Sequence, residues 1–300
     1  MTGRIDSNAL LRYATRGYLI LFFAYMFLPL TFMVIAAFNT PGIPQAVPFE
    51  GFTLAWFGRL FSNEPLWSAV LNSIVIGVGV ICLALSLGLA GALLLTRLHT
   101  QARTFIYGVL VSPLLTPGII LGISTLVFWN NMGVGGGLFL ATLAQGTFIS
   151  AYCMLLFMAR LQRFDHDLEE AALDLGASHQ QVFWKITVPF LKPTILTGAV
   201  IAFLQSFENF NTTVFAIGTD TTMTIQLASM ARLSLTPEVN ALAVIFIGLT
   251  IVIAVLYEAK RRTERMKQEA RREAAERADA ELIEMAEPQL APGKPKQATV

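Results

Sequence analysis

Six long apolar runs constrain this chain more than any other feature of its sequence. Each holds roughly the 20 residues that an α-helix needs to cross a hydrocarbon core about 30 Å thick. Only 14% of the 300 residues are charged and the mean hydropathy is +0.61, which argues against a soluble domain. We therefore predict an all-α membrane protein with six transmembrane helices. The predicted spans are residues 18–38, 67–96, 105–129, 136–158, 195–217 and 241–257.

The distribution of basic residues predicts the orientation of these spans. Of the 21 Lys and Arg residues, all but Arg59 and Arg232 lie before the first run, after the second, after the fourth or after the sixth. Basic residues mark the cytoplasmic side, so both termini and the loop 159–194 are predicted to be cytoplasmic. The predicted organisation is a cytoplasmic N-terminal segment (1–17), a six-helix transmembrane domain (18–257) and a charged cytoplasmic tail (258–300), helical and then disordered.

The loop 159–194 is predicted to hold two short helices. Asp165 or Asp167 can cap the first helix, and Gly176 can end it in a left-handed conformation. Ser178 can cap the second helix, which we expect Pro189 to stop. Such a loop fits either a docking surface for another protein or an amphipathic helix resting on lipid headgroups.

The spacing of residues within this loop carries a family resemblance. Glu170-Ala171-Ala172 is followed at fixed intervals by Gly176, Ile186 and Pro189. This pattern resembles the EAA loop of permease subunits in binding-protein-dependent type I ABC importers, with Val188 where Leu is typical. The resemblance implies the type I permease fold and a coupling helix that sits on an ATPase subunit. The residues that it implies for this coupling are Glu170, Ala171, Ala172, Asp174, Gly176 and Pro189.

A second resemblance, to a narrower family, covers residues 15–257. Residues 51–53, 112–113, 117–119 and 237–243 are similar to the second permease subunit of spermidine/putrescine importers. This implies a bacterial inner-membrane location, a second homologous permease subunit and a periplasmic solute-binding protein. It also implies two ABC ATPase subunits, which hold the ATP and Mg.

The chain lacks the motifs of an enzyme. The sequence has no phosphate-binding P-loop, no Ser/His/Asp arrangement and no metal-ligand spacing. Cys82 and Cys153 lie inside apolar runs, which argues against a disulfide or thiolate site. We expect a non-catalytic subunit that binds no cofactor itself. A net charge of +1 predicts no nucleic-acid partner.

A polar stretch interrupts the fifth run. At helical spacing, Gln205, Glu208, Asn209 and Thr212 share one stripe, which predicts a substrate pathway. The alternative is that these groups hydrogen-bond between helices and hold the bundle together. Trp129 is a further candidate, either at the outer mouth of the pathway or as an interfacial anchor.

The stretch also bears on the solute. An ionised Glu208 suits a small cation of the polyamine kind, with Phe207 and Phe210 packing on lipid or walling the path. The polyamine subgroup usually carries adjacent aspartates here, whereas Asn209 follows Glu208 in this chain. Amino-acid derivatives and opines therefore stay open as solutes. Six spans alone also fit a secondary transporter or a channel.

Two prolines in the third run and a basic cluster after the last run are further features of the sequence. Pro113 and Pro117 predict a kink in the third run, either a static bend or a gating hinge. The basic residues 260–262 follow the last span directly and are expected to bind anionic membrane lipid.

Overall fold

The structure is a computed structural model that describes residues 7–98, 100–233 and 236–290, with side chains described from residue 11 to residue 267. Twelve α-helices and one π-helical turn make up the ordered elements of these residues. They are α1 (Ser7–Phe38), α2 (Ala55–Phe61), α3 (Glu64–Arg97), α4 (Ala102–Leu115), α5 (Gly118–Asn130), α6 (Leu138–Leu161), α7 (Asp167–Asp174), α8 (His179–Val182), the π turn (Phe183–Thr187), α9 (Val188–Phe207), α10 (Thr213–Ala216), α11 (Met223–Leu233) and α12 (Pro237–Leu290).

The predicted spans are present as helices. Among the residues that the structure describes, five helices are long and apolar enough to cross a bilayer, and the bent pair α4–α5 makes a sixth if it counts as one span. The all-α prediction is therefore confirmed. The segments 39–65 and 218–240 between predicted spans hold the short helices α2 and α11.

The third span is broken more sharply than a kink. α4 and α5 meet at an angle of 105° around Thr116 and Pro117. Proline cannot donate a backbone hydrogen bond and disfavours helix in the residue before it, which explains why the helix ends there. Beyond the break, Gly118 and Gly122 lie against the backbone and side chain of Thr212. The absence of a side chain at Gly122 allows this close approach.

The fifth span differs most from its prediction. The helical rod runs from His179 to Phe207, through the π turn, rather than over 195–217. The expectation that Pro189 stops the preceding helix was therefore wrong. The π turn ends two residues before Pro189 and loosens the hydrogen-bond ladder where this proline has no N–H to donate. The predicted helical stripe was also wrong, because α9 ends at Phe207.

Small residues bring α3, α6 and α9 close together. A side chain at Gly88 would collide with the backbone of Met154, and one at Gly77 would collide with the ring of Phe203. Close packing between small residues is a main source of stability for helices in lipid. The buried core of this region includes Val80, Phe157 and Ala202.

The chain divides into two units, residues 1–34 with 241–300 and residues 35–240. In the first unit α12 continues from the last span to Leu290, so the predicted tail helix is present. Arg262 donates to Glu258 at 3.1 Å, as the spacing predicts, and this lowers the pKa of the Glu258 carboxyl. The end of the tail is predicted to be disordered from Pro288, but Pro288 to Leu290 still belong to α12, and residues 291–300 lie outside the described residues. All candidate site residues belong to the second unit.

The contact at Gly122 gives a first prediction. A methyl group there would lie 2.5 Å from the carbonyl oxygen of Thr212, so Gly122→Ala has to displace the turn that contains Thr212. We expect a loss of about 1–3 kcal/mol of stability, as for other overpacking substitutions. Thermal unfolding of the purified protein in detergent measures it.

Gly108→Ala is the matched control for this variant. Gly108 lies in α4 and has nothing within 4 Å of an added methyl group, so alanine should leave the melting temperature unchanged or raise it slightly. Equal melting temperatures for the Gly122 and Gly108 variants would contradict the described packing.

Candidate substrate cavity and coupling loop

A cavity of about 370 Å³ lies where the fifth span ends. α9 stops at Phe207, and residues 208–212 form an irregular turn before α10. The turn forms one side of the cavity, and Pro113, Thr116 and Gly118 at the α4–α5 break contribute to its lining. The cavity volume falls within the range of small-molecule sites, about 300–1,000 Å³.

Three polar side chains of this cavity have free hydrogen-bonding groups. Glu208 and Asn211 are exposed and Gln205 is half-buried, and all three line the cavity. Their side chains make no hydrogen bond or ion pair with any residue that the structure describes. A carboxylate at membrane depth is costly and is usually found facing a partner or a watery cavity.

Aromatic rings form part of the wall of the same cavity. Phe148, Tyr152 and Phe210 line it together with Glu208. Phe207 instead stacks on Phe203, with ring centroids 5.5 Å apart. Aromatic faces attract cations, so the cavity combines a carboxylate with rings in a manner that suits a positively charged group.

Asn209 and Thr212 have a different environment from Glu208, although they line the same cavity. The Oδ1 atom of Asn209 accepts a hydrogen bond from the backbone N–H of Thr212 at 3.2 Å and lies 3.0 Å from the hydroxyl of Thr213. Thr212 is only 1% exposed. The side chain of Asn209 therefore accepts from one backbone N–H, that of Thr212 just before α10, and from one side-chain hydroxyl.

Gln145 of α6 holds both sides of this helix break. Its Nε2 atom donates to the hydroxyl of Thr213 at 2.6 Å, and its Oε1 atom accepts a short hydrogen bond from the hydroxyl of Ser206. All three side chains are buried. One amide thus joins the last turn of α9 to the first residue of α10 and fixes the turn that carries Glu208.

The role of Gln145 was not predicted from the sequence. Its signal was a lone amide side chain within the apolar run 136–158, where burial requires hydrogen-bond partners. Its partners could not be read from the pattern, because Ser206 and Thr213 lie 61 and 68 residues away along the chain.

The structure does not place Trp129 with the other pathway candidates. Trp129 lines a separate cavity of about 360 Å³, together with Ser124, Thr125 and Thr147. Its ring packs edge-on against Phe128 and Phe139. The two cavities have no lining residue in common.

The loop 159–194 folds into two short helices, as predicted. The Oδ1 atom of Asp165 accepts a hydrogen bond from the backbone N–H of Asp167 at 3.1 Å, at the start of α7. Gly176 has a φ of +87° immediately after that helix, as its position predicts. Ser178 begins α8 with a reciprocal pair of hydrogen bonds to Gln181.

The coupling candidates are distributed over the two faces of α7. Glu170, Ala171 and Asp174 are exposed, which we call the outer face of α7, whereas Ala172 is half-buried. Glu170 also lines the groove between α7 and α3. The side chains of Glu170 and Asp174 make no hydrogen bond with a described residue, which leaves them free to contact another protein. Pro189 is exposed but lies elsewhere, as the second residue of α9.

Comparison with known proteins identifies the family. The family described as the binding-protein-dependent transport system inner membrane component matches residues 81–262, more than half of the chain. The chain belongs to this family. The match covers the coupling loop, the cavity turn and the last span, so these features belong to a transporter subunit of the inner membrane.

Two bacterial permeases are among the relatives of this chain. The spermidine/putrescine transport system permease protein PotC of Haemophilus influenzae is 30% identical over 80% of this chain and 93% of its own length. The putrescine transport system permease protein PotI of Escherichia coli is 30% identical over 79% of this chain and 87% of its own length.

The fold of this chain also resembles that of solved structures. A bacterial ABC transporter involved in the import of the acidic polysaccharide alginate has a chain that matches 86% of this protein, with a TM-score of 0.65 and 17% identity. The same comparison covers 99% of that chain. This likeness confirms the type I permease fold.

The position of Gln145 gives a second prediction. Gln145→Leu keeps the side-chain volume but removes two interhelical hydrogen bonds, so we expect a loss of about 1–3 kcal/mol of stability. We also expect faster hydrogen exchange at residues 206–213, because the turn loses its clamp. Thermal unfolding and hydrogen-exchange mass spectrometry measure the two effects.

Thr147→Val provides the matched comparison on the same helix. The Thr147 hydroxyl donates only to the carbonyl of Leu143 within α6, at 2.9 Å. This variant should leave exchange at 206–213 as in the original protein. Unchanged exchange in Gln145→Leu would contradict the clamp.

Proposed function

We propose that this chain is a permease subunit of an ATP-driven importer for a small, polar, cationic solute of the polyamine kind. The chain and a homologous partner permease form the passage across the inner membrane. A periplasmic binding protein delivers the solute, and both termini of the chain lie in the cytoplasm. The chain itself catalyses no reaction.

One observation carries the choice of a cation. Glu208 faces a cavity that also holds Gln205, Asn211 and three aromatic rings, and its carboxylate has no partner among the described residues. A primary or secondary ammonium group can pair with the carboxylate, hydrogen-bond to the amides and lie over a ring. The cavity thus offers a cation the contacts that water provides outside the membrane.

The sequence relatives support the same solute class. Their names give spermidine and putrescine as the transported solutes, at 30% identity over most of each chain. The Asn that replaces an aspartate after Glu208 has a structural role, since Asn209 pairs with Thr212 and Thr213. Asn209 thus removes one of the two negative charges that the polyamine subgroup usually carries here. The carboxylate of Glu208 remains in the cavity.

The exposed residues of the loop helix α7 support ATP hydrolysis by a docked subunit as the energy source. The outer face of α7 presents Glu170, Ala171 and Asp174 without partners, at the positions that the family resemblance assigns to the ATPase contact. We assign ATP and Mg to two ATPase subunits that dock there. Membership of a binding-protein-dependent family favours this importer over a self-sufficient secondary transporter or channel.

A third prediction tests the solute and the site together. Proteoliposomes that contain both permeases, the ATPase subunits and the binding protein should accumulate radiolabelled spermidine or putrescine only when ATP is supplied. Glu208→Gln should lower uptake about tenfold, equivalent to about 1.4 kcal/mol. The reason is that an amide of the same size cannot pair with an ammonium group.

Two variants serve as controls for Glu208→Gln. Glu208→Asp keeps the charge and should retain more uptake than the amide. Glu64→Gln removes an exposed carboxylate at the start of α3, outside the cavity, and should transport as the original protein does. Uptake of opines or amino-acid derivatives in place of polyamines, or full polyamine uptake by Glu208→Gln, would overturn the proposed solute or site.

A further inference from the structure

Glu169 joins three helical elements at the cytoplasmic side of the protein. It lies in the first turn of α7, and its side chain is only 15% exposed although the helix itself has no fully buried residue. The Nη2 atom of Arg97 lies 3.2 Å from both carboxylate oxygens. The hydroxyl of Thr187 donates to Oε1 at 2.8 Å.

These two partners stand at the ends of membrane helices. Arg97 is the last residue of α3, and Thr187 is the last residue of the π turn that leads into α9. Thr187 is 1% exposed, so its hydrogen bond is shielded from water. π turns inside α-helices often coincide with functional sites.

The contact between α7 and the membrane helices is otherwise loose. A groove of about 850 Å³ is lined by residues of α3 that include Leu93 and Arg97, by Glu169, Glu170 and Leu173 of α7, and by Phe183 of the π turn. Because this groove is open, apolar packing between α7 and the membrane helices is weak. The ion pair and hydrogen bond of Glu169 connect α7 to those helices across the groove.

Both helices that Glu169 contacts lead to the cavity turn. The rod from His179 to Phe207 ends one residue before Glu208. Near the other end of α3, Ser73 accepts from the backbone N–H of Met223 at 2.9 Å, and Thr224 donates to the carbonyl of Asn209 at 3.1 Å. A displacement of α7 can therefore reach the turn 208–212 by two routes.

We infer that Glu169 is the positioning residue through which movement of the coupling helix reaches α3 and α9, and through them the cavity at Glu208. Its role differs from that of the exposed residues Glu170 and Asp174, which we assign to the contact with the docked ATPase. The inference rests on the proposed docking of ATPase subunits at this loop. It assigns transmission to the inner face of α7 and attachment to the outer face.

The fourth prediction is a loss of coupling without a loss of assembly. In proteoliposomes that contain the whole transporter, Glu169→Ala should lower the solute imported per ATP hydrolysed at least fivefold. The amount of ATPase that co-purifies with the permease should stay unchanged, because the outer face of α7 is intact. Uptake, ATP hydrolysis and subunit stoichiometry are measured on the same preparation.

Two milder variants separate the two routes and guard against misfolding of Glu169→Ala. Thr187→Val removes only the hydroxyl contact to α9, and Arg97→Gln removes the charge at the end of α3. Each should lower the import ratio less than Glu169→Ala does. Thr197→Val is the control, since this exposed hydroxyl of α9 donates only within its own helix, to Pro193 at 3.0 Å.

The outcomes distinguish this inference from the proposed function. The first outcome concerns the inference alone. If the unmutated transporter imports polyamine with ATP, and both Glu169→Ala and Thr187→Val import as much solute per ATP as it does, the inference is wrong. Loss of bound ATPase in Glu169→Ala would also overturn it, because the residue would then serve attachment. An original complex that shows no ATP-driven uptake of polyamine would instead overturn the proposed function.

Discussion

Backbone groups inside a bilayer must find their hydrogen-bond partners within the protein, and the rest of this structure depends on how that requirement is met at residues 208–212. The break after Phe207 leaves backbone groups that a continued helix would have paired. The side chain of Asn209 accepts from the N–H of Thr212, and the hydroxyls of Thr213 and Thr224 donate to the carbonyl of Asn209. Gln145 adds side-chain hydrogen bonds to Ser206 and Thr213 across the break. Because this buried network stabilises the turn, Glu208 and its neighbours are free to face the cavity.

Close backbone packing and the polar network act together at this turn. Gly122 allows α5 to approach the carbonyl of Thr212, and the 105° break before it brings Pro113 and Thr116 to the cavity. The last residue of α3 and Thr187 in the π turn of the rod that ends at Phe207 both contact Glu169. The chain thus connects the short loop helix α7 to the polar cavity at Glu208 through helices and a few specific hydrogen bonds.

The sequence predicts those features that depend on local chemistry. Apolar runs gave the spans, and Gly176 and Ser178 gave the ends of the loop helices. The end of α9 was not predictable, because the apolar character resumes at Val214 and the groups that stabilise the break lie on α6. Pro189 likewise has the signature of a helix stop, whereas the π turn before it allows the helix to continue. In each case a distant partner or an irregular turn overrides the local signal.

Cysteine labelling at position 211 tests most directly whether the broken helix opens a watery, solute-binding cavity. Asn211→Cys in a chain with Cys82→Ala and Cys153→Ala should react with a membrane-impermeant thiol reagent, since labelling requires access of water to the thiolate. Addition of polyamine, binding protein and ATP should slow this reaction. Leu204→Cys, exposed on α9 but outside the cavity, should not react. An unreactive Cys at position 211 in every state, or reaction that polyamine does not slow, would contradict the account.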